Sequence, residues 1–159
     1  MQPQIRDAFP TDAEAIGRLM HVLGYELAAT RAAERLAAYG GDFSKVWVAC
    51  HEGEIIGFLA FHAMPLFHEA AMLGRITAMS VEPRCQRQGV GAALVKKAED
   101  FALSVGCFSM EVTSGDRREH EAHLFYQALD YRSECRRFIK HLVDRKTGGA
   151  ANPPPHVSP

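Results

Sequence analysis

Val81-Glu-Pro-Arg-Cys-Gln-Arg-Gln-Gly-Val-Gly-Ala-Ala-Leu94 carries the chain from a strand-like run through a polar loop into a helix. An apolar, strand-like run ends at Val81, and Pro83 blocks its easy continuation. A polar loop, Arg84 to Gln88, then enters a helix opened by Gly89 and Gly91. Amides at a helix start have no intrahelical acceptors, and the helix dipole favours negative charge there. Glycines let a bulky anion approach the backbone, and Arg84 and Arg87 add positive charge. The stretch reads as an anion cradle. Glycines that serve only tight strand–helix packing give the same pattern, so at this level both readings stay open.

The elements around the loop follow from local patterns. Gln4 to Ala8 reads as a short first strand. Thr11-Asp-Ala-Glu14 has the spacing of a capping box, followed by a helical face of Leu19, Met20 and Leu23. A second helix covers about Ala28 to Ala38 and stops at Gly40-Gly41. Lys45 to Cys50 and Glu54 to His62 are strands joined by the turn residues His51-Glu-Gly53, a hairpin signal. Ala71 to Val81 is a further strand. From Gly89 to Val105 a helix places Leu94, Val95, Ala98, Phe101, Ala102 and Val105 on one face. Phe108 to Ser114 is a strand, Glu119 to Leu129 a helix and Ser133 to Leu142 a last strand. Three strands in sequence followed by β-helix-β imply mixed antiparallel and parallel pairing, an α+β class.

Length and composition set the outer limits. The 159 residues fit one domain, expected over residues 1–147, with 148–159 (GGAANPPPHVSP) as a flexible Pro/Gly-rich tail. Hydrophobic residues at 47% and charged residues at 23% exclude a largely disordered chain. Eighteen basic against nineteen acidic residues leave a formal charge of −1, which offers no electrostatic footprint for nucleic acid or an anionic membrane. No apolar run reaches the ~20 residues of a membrane helix, and Met1 to Pro10 lacks the apolar stretch of a signal peptide. The four cysteines (Cys50, Cys85, Cys107, Cys135) have no CxxC spacing, so reduced thiols in a cytoplasmic protein are expected.

Known nucleotide loops fit poorly. A Walker A loop needs GxxxxGK[ST], and no Lys stands at that place; a dinucleotide GxGxxG needs a third glycine where Leu94 stands. Gln86-Arg-Gln-Gly89-Val-Gly91, by contrast, matches the Q/R-x-x-G-x-G/A loop, and the chain resembles the GCN5-related N-acetyltransferase (GNAT) superfamily from about Gln4 to Leu142. A second motif agrees: Ala122-His-Leu-Phe125-Tyr126-Gln-Ala-Leu-Asp-Tyr131 is similar to the family's AxxFYxxxGF/Y segment, with Asp130 in place of the usual Gly.

The resemblance implies a GNAT fold: a mixed, mostly antiparallel sheet whose parallel strands 4 and 5 are splayed, with helices on both faces. It implies acetyl-CoA in the splay. Gln86, Arg87, Gln88, Gly89, Val90, Gly91 and Ala92 would hold the pyrophosphate. Backbone at Met79, Ser80 and Val81 would hold the pantetheine arm and orient the thioester. Ser114, Ala122 and Phe125 would complete the site. Tyr126 takes the place of the family's usual acid; its hydroxyl is protonated at neutral pH and could protonate the leaving thiolate. A core tyrosine on an amphipathic helix is the plainer reading of the same residue.

The base is open. Many relatives carry Glu where Ala78 stands, and alanine cannot serve. Glu111, His62, His68, Glu69 and water chains are candidates. Arg117 and Arg118 could contact anions or simply be solvated. No metal ligands are assigned: His120-Glu-Ala-His123 is not HExxH. A divalent metal stays an alternative, because Arg118 to Tyr126, Leu66-Phe-His68 and the Gly74 strand also resemble aminoalkylphosphonate N-acetyltransferases, although that strand differs at Arg75, Thr77 and Ala78. The expected acceptor is a small-molecule amine, an aminophosphonate or polyamine. Alternatives are an aminoglycoside, a protein amine, or no acceptor at all, the chain being an acetyl-CoA-binding regulatory module. An ATP-binding domain is a further rival. The resemblance also implies a homodimer.

Overall fold

The computed structural model describes residues 1–114, 119–134 and 137–142. The expected tail at 148–159, Arg117, Arg118 and Cys135 lie outside the described residues. Strands β1 (Gln4–Asp7), β2 (Ser44–His51), β3 (Glu54–Pro65), β4 (Met72–Val81) and β5 (Cys107–Val112) form one sheet in the order 1-2-3-4-5. Neighbours are antiparallel except β4 and β5, which run parallel. Helices α1 (Ala13–Val22) and α2 (Ala29–Ala38) precede β2; α3 (Val90–Ser104) crosses over between β4 and β5; α4 (Glu119–Gln127) follows β5.

Side-chain alternation on the strands divides the core into two layers. Trp47, Leu59, Phe61 and Ile76 face α3, packing on Val90, Leu94, Val95 and Ala98. Val48, Phe58 and Ala60 face the other way, onto Ile16 and Leu19 of α1. Trp47, Phe61 and Phe101 form an aromatic triangle with centroid separations of 6.1, 5.5 and 5.7 Å. Such tilted and edge-on contacts exploit the ring quadrupoles as well as the buried area.

The β2–β3 hairpin turns through Glu52 and Gly53, both at positive φ (50° and 82°). That is the backbone of a type I′ turn, whose twist matches the flanking strands. Two expectations are corrected. The Thr11–Glu14 capping box does not form. Pro10 starts a 3-10 turn over Pro10–Asp12, and the buried Asp12 carboxylate accepts the Phe9 N–H at 2.8 Å. The same carboxylate takes two guanidinium hydrogen bonds from Arg6 (2.7 and 2.9 Å), a fork that outcompetes a hydroxyl cap. The last strand expected at Ser133–Leu142 is not formed by 133–134 or 137–142; Phe138, Ile139 and Leu142 are exposed. Their apolar pattern reads as strand, yet burial supplies none of its support.

Candidate functional site

β4 is hydrogen-bonded to β3 over its full length, from Pro65↔Met72 to Gly57↔Val81. Its ladder with β5 is shorter, ending at Ile76↔Val112. From Thr77 to Val81 the β5-facing edge of β4 has no strand partner among the described residues. β4 thus continues past the end of β5, and this open edge, the fork of the two strands, begins at Thr77.

A β-bulge marks the same point. Ala60 pairs with Ala78 and Phe61 with Ile76, so Thr77 is the extra residue on β4. Its hydroxyl donates to the Ala60 carbonyl at 3.2 Å and accepts from Tyr39 of α2 at 2.8 Å. Beyond the bulge, strand alternation decides which backbone groups face the fork. The Glu82 N–H turns to the Ile56 carbonyl of β3 at 2.8 Å. Each residue's N–H and C=O leave a strand on one side, and successive residues alternate. Val81 and Met79 therefore present theirs to the open edge, whereas Ser80 and Ala78 face β3. The Val81 carbonyl is taken by the Gln86 side chain at 3.0 Å. The Ser80 hydroxyl is buried, 5% of the residue being exposed, and has no partner among the described residues.

The open edge leads straight into the loop that follows Val81. Pro83–Cys85 make a 3-10 turn, Cys85 sinks into the core, and Arg87 and Gly89 take positive φ (59° and 87°). The Gln88 side chain donates to the Arg84 carbonyl at 2.8 Å, bracing the loop. Gly89 is the N-cap of α3, and the Ala93 amide is the first to find its acceptor, the Gly89 carbonyl at 3.0 Å. The amides of Val90, Gly91 and Ala92 lack intrahelical acceptors, no side chain caps the end, and no acidic residue stands in the first turn. The result is an uncapped, positive helix end beside exposed Arg87. Arg84 does not add to it as expected, because it pairs with Glu54 at the hairpin.

Helix α4 closes the α3 side. A Cβ on Gly91 would meet the Phe125 ring at 3.1 Å and Val81 at 3.9 Å, so the end of β4, the start of α3 and the face of α4 converge on one glycine. Tyr126 lies half-buried beside Phe125 (centroids 5.0 Å) and Tyr131 (5.5 Å). Burial pushes its phenol up to about 12, so it holds its proton at neutral pH. The Tyr131 phenol is raised as well, first by burial and then by Glu99. Ala122 sits half-buried on α4, and Ser114 follows β5 past its last rung. Asp130 takes φ 64°, the left-handed turn that the motif's usual glycine would supply.

The base candidates are dispersed. Glu111 is paired with Arg75 at 2.9 Å, the His62 Nδ1 is hydrogen-bonded to the Ser44 hydroxyl at 2.5 Å, and His68 and Glu69 are exposed on the loop after β3. Among the described residues no group of three His, Cys, Asp or Glu could hold a metal ion. Among them, too, no helix is long and apolar enough to cross a membrane. Arg75, Thr113 and Tyr39 reach this site without any sequence signal of their own; only the strand register and the α2 docking bring them here.

Residues 14–131 match the model of the acetyltransferase (GNAT) family. An aminoalkylphosphonate N-acetyltransferase from Salmonella typhimurium is 30% identical over 95 residues, 60% of this chain and 61% of that protein. Among solved structures, an acetyltransferase from Trypanosoma brucei superposes with a TM-score of 0.74 at 22% identity, covering 89% of this chain and all of that one. A transcriptional regulator from Bacillus halodurans C-125 superposes with a TM-score of 0.79 at 23% identity, with the same coverage. At these identities the superpositions speak to the fold.

Proposed function

The chain belongs to the acetyltransferase (GNAT) family, and on that premise we propose that it transfers an acetyl group from acetyl-CoA to the primary amine of a small molecule, by direct attack in a ternary complex. The observation that carries this reading is the continuity between the unpaired edge of β4 at Met79 and Val81 and the uncapped N-terminus of α3. On this reading they offer backbone donors along an extended arm and an anion site at its end.

Acetyl-CoA supplies an activated thioester. The amides of Val90, Gly91 and Ala92, with Arg87, suit its pyrophosphate. Gln86 and Gln88 act by bracing the loop through Val81 and Arg84. The Met79 and Val81 backbone orients the thioester arm, and the Met79 N–H can polarise the thioester carbonyl. The acceptor enters as an ammonium and first gives a proton to water, since Ala78 offers no base. The neutral nitrogen attacks the carbonyl carbon and a C–N bond forms, the now cationic nitrogen gives its second proton to solvent, and the C–S bond breaks. Tyr126 hands its phenolic proton to the departing sulfur and recovers one from solvent. Positioning and proton transfer are the sources of rate.

The acceptor is an aminophosphonate-like or polyamine-like molecule; the named Salmonella relative supports the first. The reading includes a homodimer in the cytoplasm, with no nucleic-acid or membrane partner, and the dimer is checked by light scattering after size exclusion. A second reading, a regulatory module that binds acetyl-CoA without turnover, rests on Ala78. Thiol release from acetyl-CoA with a panel of primary amines separates the two. Amine-dependent release supports transfer. Saturable CoA binding with no release on any amine supports the module.

A further inference from the structure

On the acetyl-transfer reading, α3 and α4 cover one face at the fork, which leaves the opposite face of the sheet for the acceptor. Gly74 abuts the Phe61 ring and Met110, both in the α3-side core, and Ile76 lies in the same layer. Arg75 between them therefore points to the opposite face. Met110 and Val112 pack in the α3-side layer, so Glu111 also points to the opposite face. Ala78, two residues past the last rung, lies in the α1-side layer.

On this face, at the foot of the fork, Arg75 Nη1 meets Glu111 Oε1 at 2.9 Å and Nη2 donates to Thr113 Oγ1 at 3.0 Å. The pair is only partly covered, 30% and 44% of the two side chains being exposed. Arg75 keeps further N–H donors, since a guanidinium has five, and Glu111 keeps its Oε2. An exposed, charge-balanced pair costs a pure cation or a pure anion as much as it gains. It favours a molecule that carries both charges.

We propose that Arg75 and Glu111 form the acceptor-recognition subsite, and that the acceptor is a short zwitterion whose acid group binds Arg75 while its ammonium is gathered by Glu111 beside the thioester. This rests on the acetyl-transfer reading and deepens it. It selects the acid-bearing amine over the polyamine, because a polyamine would bring two cations to a single carboxylate that Arg75 already neutralises.

The test compares 2-aminoethylphosphonate, β-alanine, ethylamine and 1,3-diaminopropane as acceptors at saturating acetyl-CoA. Wild-type protein is expected to favour the two acid-bearing amines over ethylamine by about tenfold or more in kcat/KM, the scale of one charge-assisted contact. In Arg75→Gln that ratio is expected to fall about tenfold, mainly through KM, and Arg75→Lys is expected to retain part of it. CoA-induced thermal shifts on each variant report that the fold is intact. Should Arg75→Gln fail to fold, the wild-type ratios alone decide. Turnover of all four amines with no preference for the acid-bearing pair, or preference for the diamine, overturns the subsite and leaves acetyl transfer standing. Absence of turnover on every amine overturns both.

Discussion

Gly91 and Phe125 leave no room between them: a Cβ on Gly91 would lie 3.1 Å from Phe125 Cζ and 3.3 Å from Cε2. Helix propensity alone favours Ala over Gly by about 1 kcal/mol, but overpacking costs about 1–3 kcal/mol. Gly91→Ala is therefore expected to lose about 1 kcal/mol of stability in urea unfolding. Because Phe125 packs edge-on against Tyr126, kcat is expected to fall more than acetyl-CoA affinity. A stabilised variant with unchanged kcat would refute the convergence of α3 and α4 on this glycine.

Gly89 poses the opposite problem. Its Cβ would meet nothing, but its φ of +87° is left-handed. Gly89→Ala should cost about 1–2 kcal/mol from backbone strain alone, and relief of that strain would tilt the first amides of α3. Titration calorimetry with CoA is expected to show weaker binding. CoA affinity equal to wild type would detach the helix start from the anion site.

Tyr126 supplies a proton in the proposed mechanism. Tyr126→Phe is expected to lower kcat by about a hundredfold, in the usual range for a general acid, with acetyl-CoA affinity close to wild type. An unchanged kcat removes Tyr126 from the reaction. The same residue makes a pH prediction. Its folded-state value is raised from 10.0 to about 12 by burial. Its contribution is complete below about pH 10, where both states hold the proton, and is lost as pH rises through about 12. Alkaline unfolding of Tyr126→Phe should therefore be less steep between these limits than that of wild type.

Asp12 controls the other end of the pH scale. The Arg6 guanidinium, followed by the Phe9 N–H, holds its carboxyl below the usual range against the opposing effect of burial. The stabilisation is present above the ordinary carboxylate pKa and lost as pH falls through the depressed value. Asp12→Ala should cost about 2 kcal/mol at pH 7, below the usual 3–5 for a fully buried pair because Arg6 stays partly exposed. The difference from wild type should shrink at pH 3; a constant difference would mean that the charge contributes nothing.

Much of the sheet was legible because its signals are local. Apolar runs in β2 and β3 flank His51-Glu-Gly53, whose central residues need positive φ, and the α3 face repeats at helical spacing. The anion cradle was legible for the same reason, since glycines and a proline at a strand–helix junction act within a few residues. The bulge at Thr77 was not, because nothing in Ile76-Thr-Ala78 marks an extra residue; it depends on how β3 and β4 align. Arg84 looked like free positive charge until the hairpin brought Glu54 to it across thirty residues. The Asp12 cap has no local signal: Thr11 and Glu14 have the motif spacing, whereas Asp12 wins through Arg6, a partner on β1. Arg75 and Glu111 meet only because β4 and β5 are parallel in this register.

Thermal unfolding with acetyl-CoA, CoA, ATP and NAD side by side asks whether the open edge of β4 and the start of α3 bind CoA. A ligand bound only by the folded state at ~100 times its Kd stabilises by about 2.7 kcal/mol. A clear rise in Tm is expected with acetyl-CoA and CoA and none with ATP or NAD. Equal curves in all four, or a rise with ATP or NAD alone, would contradict a CoA site at the fork of β4 and β5.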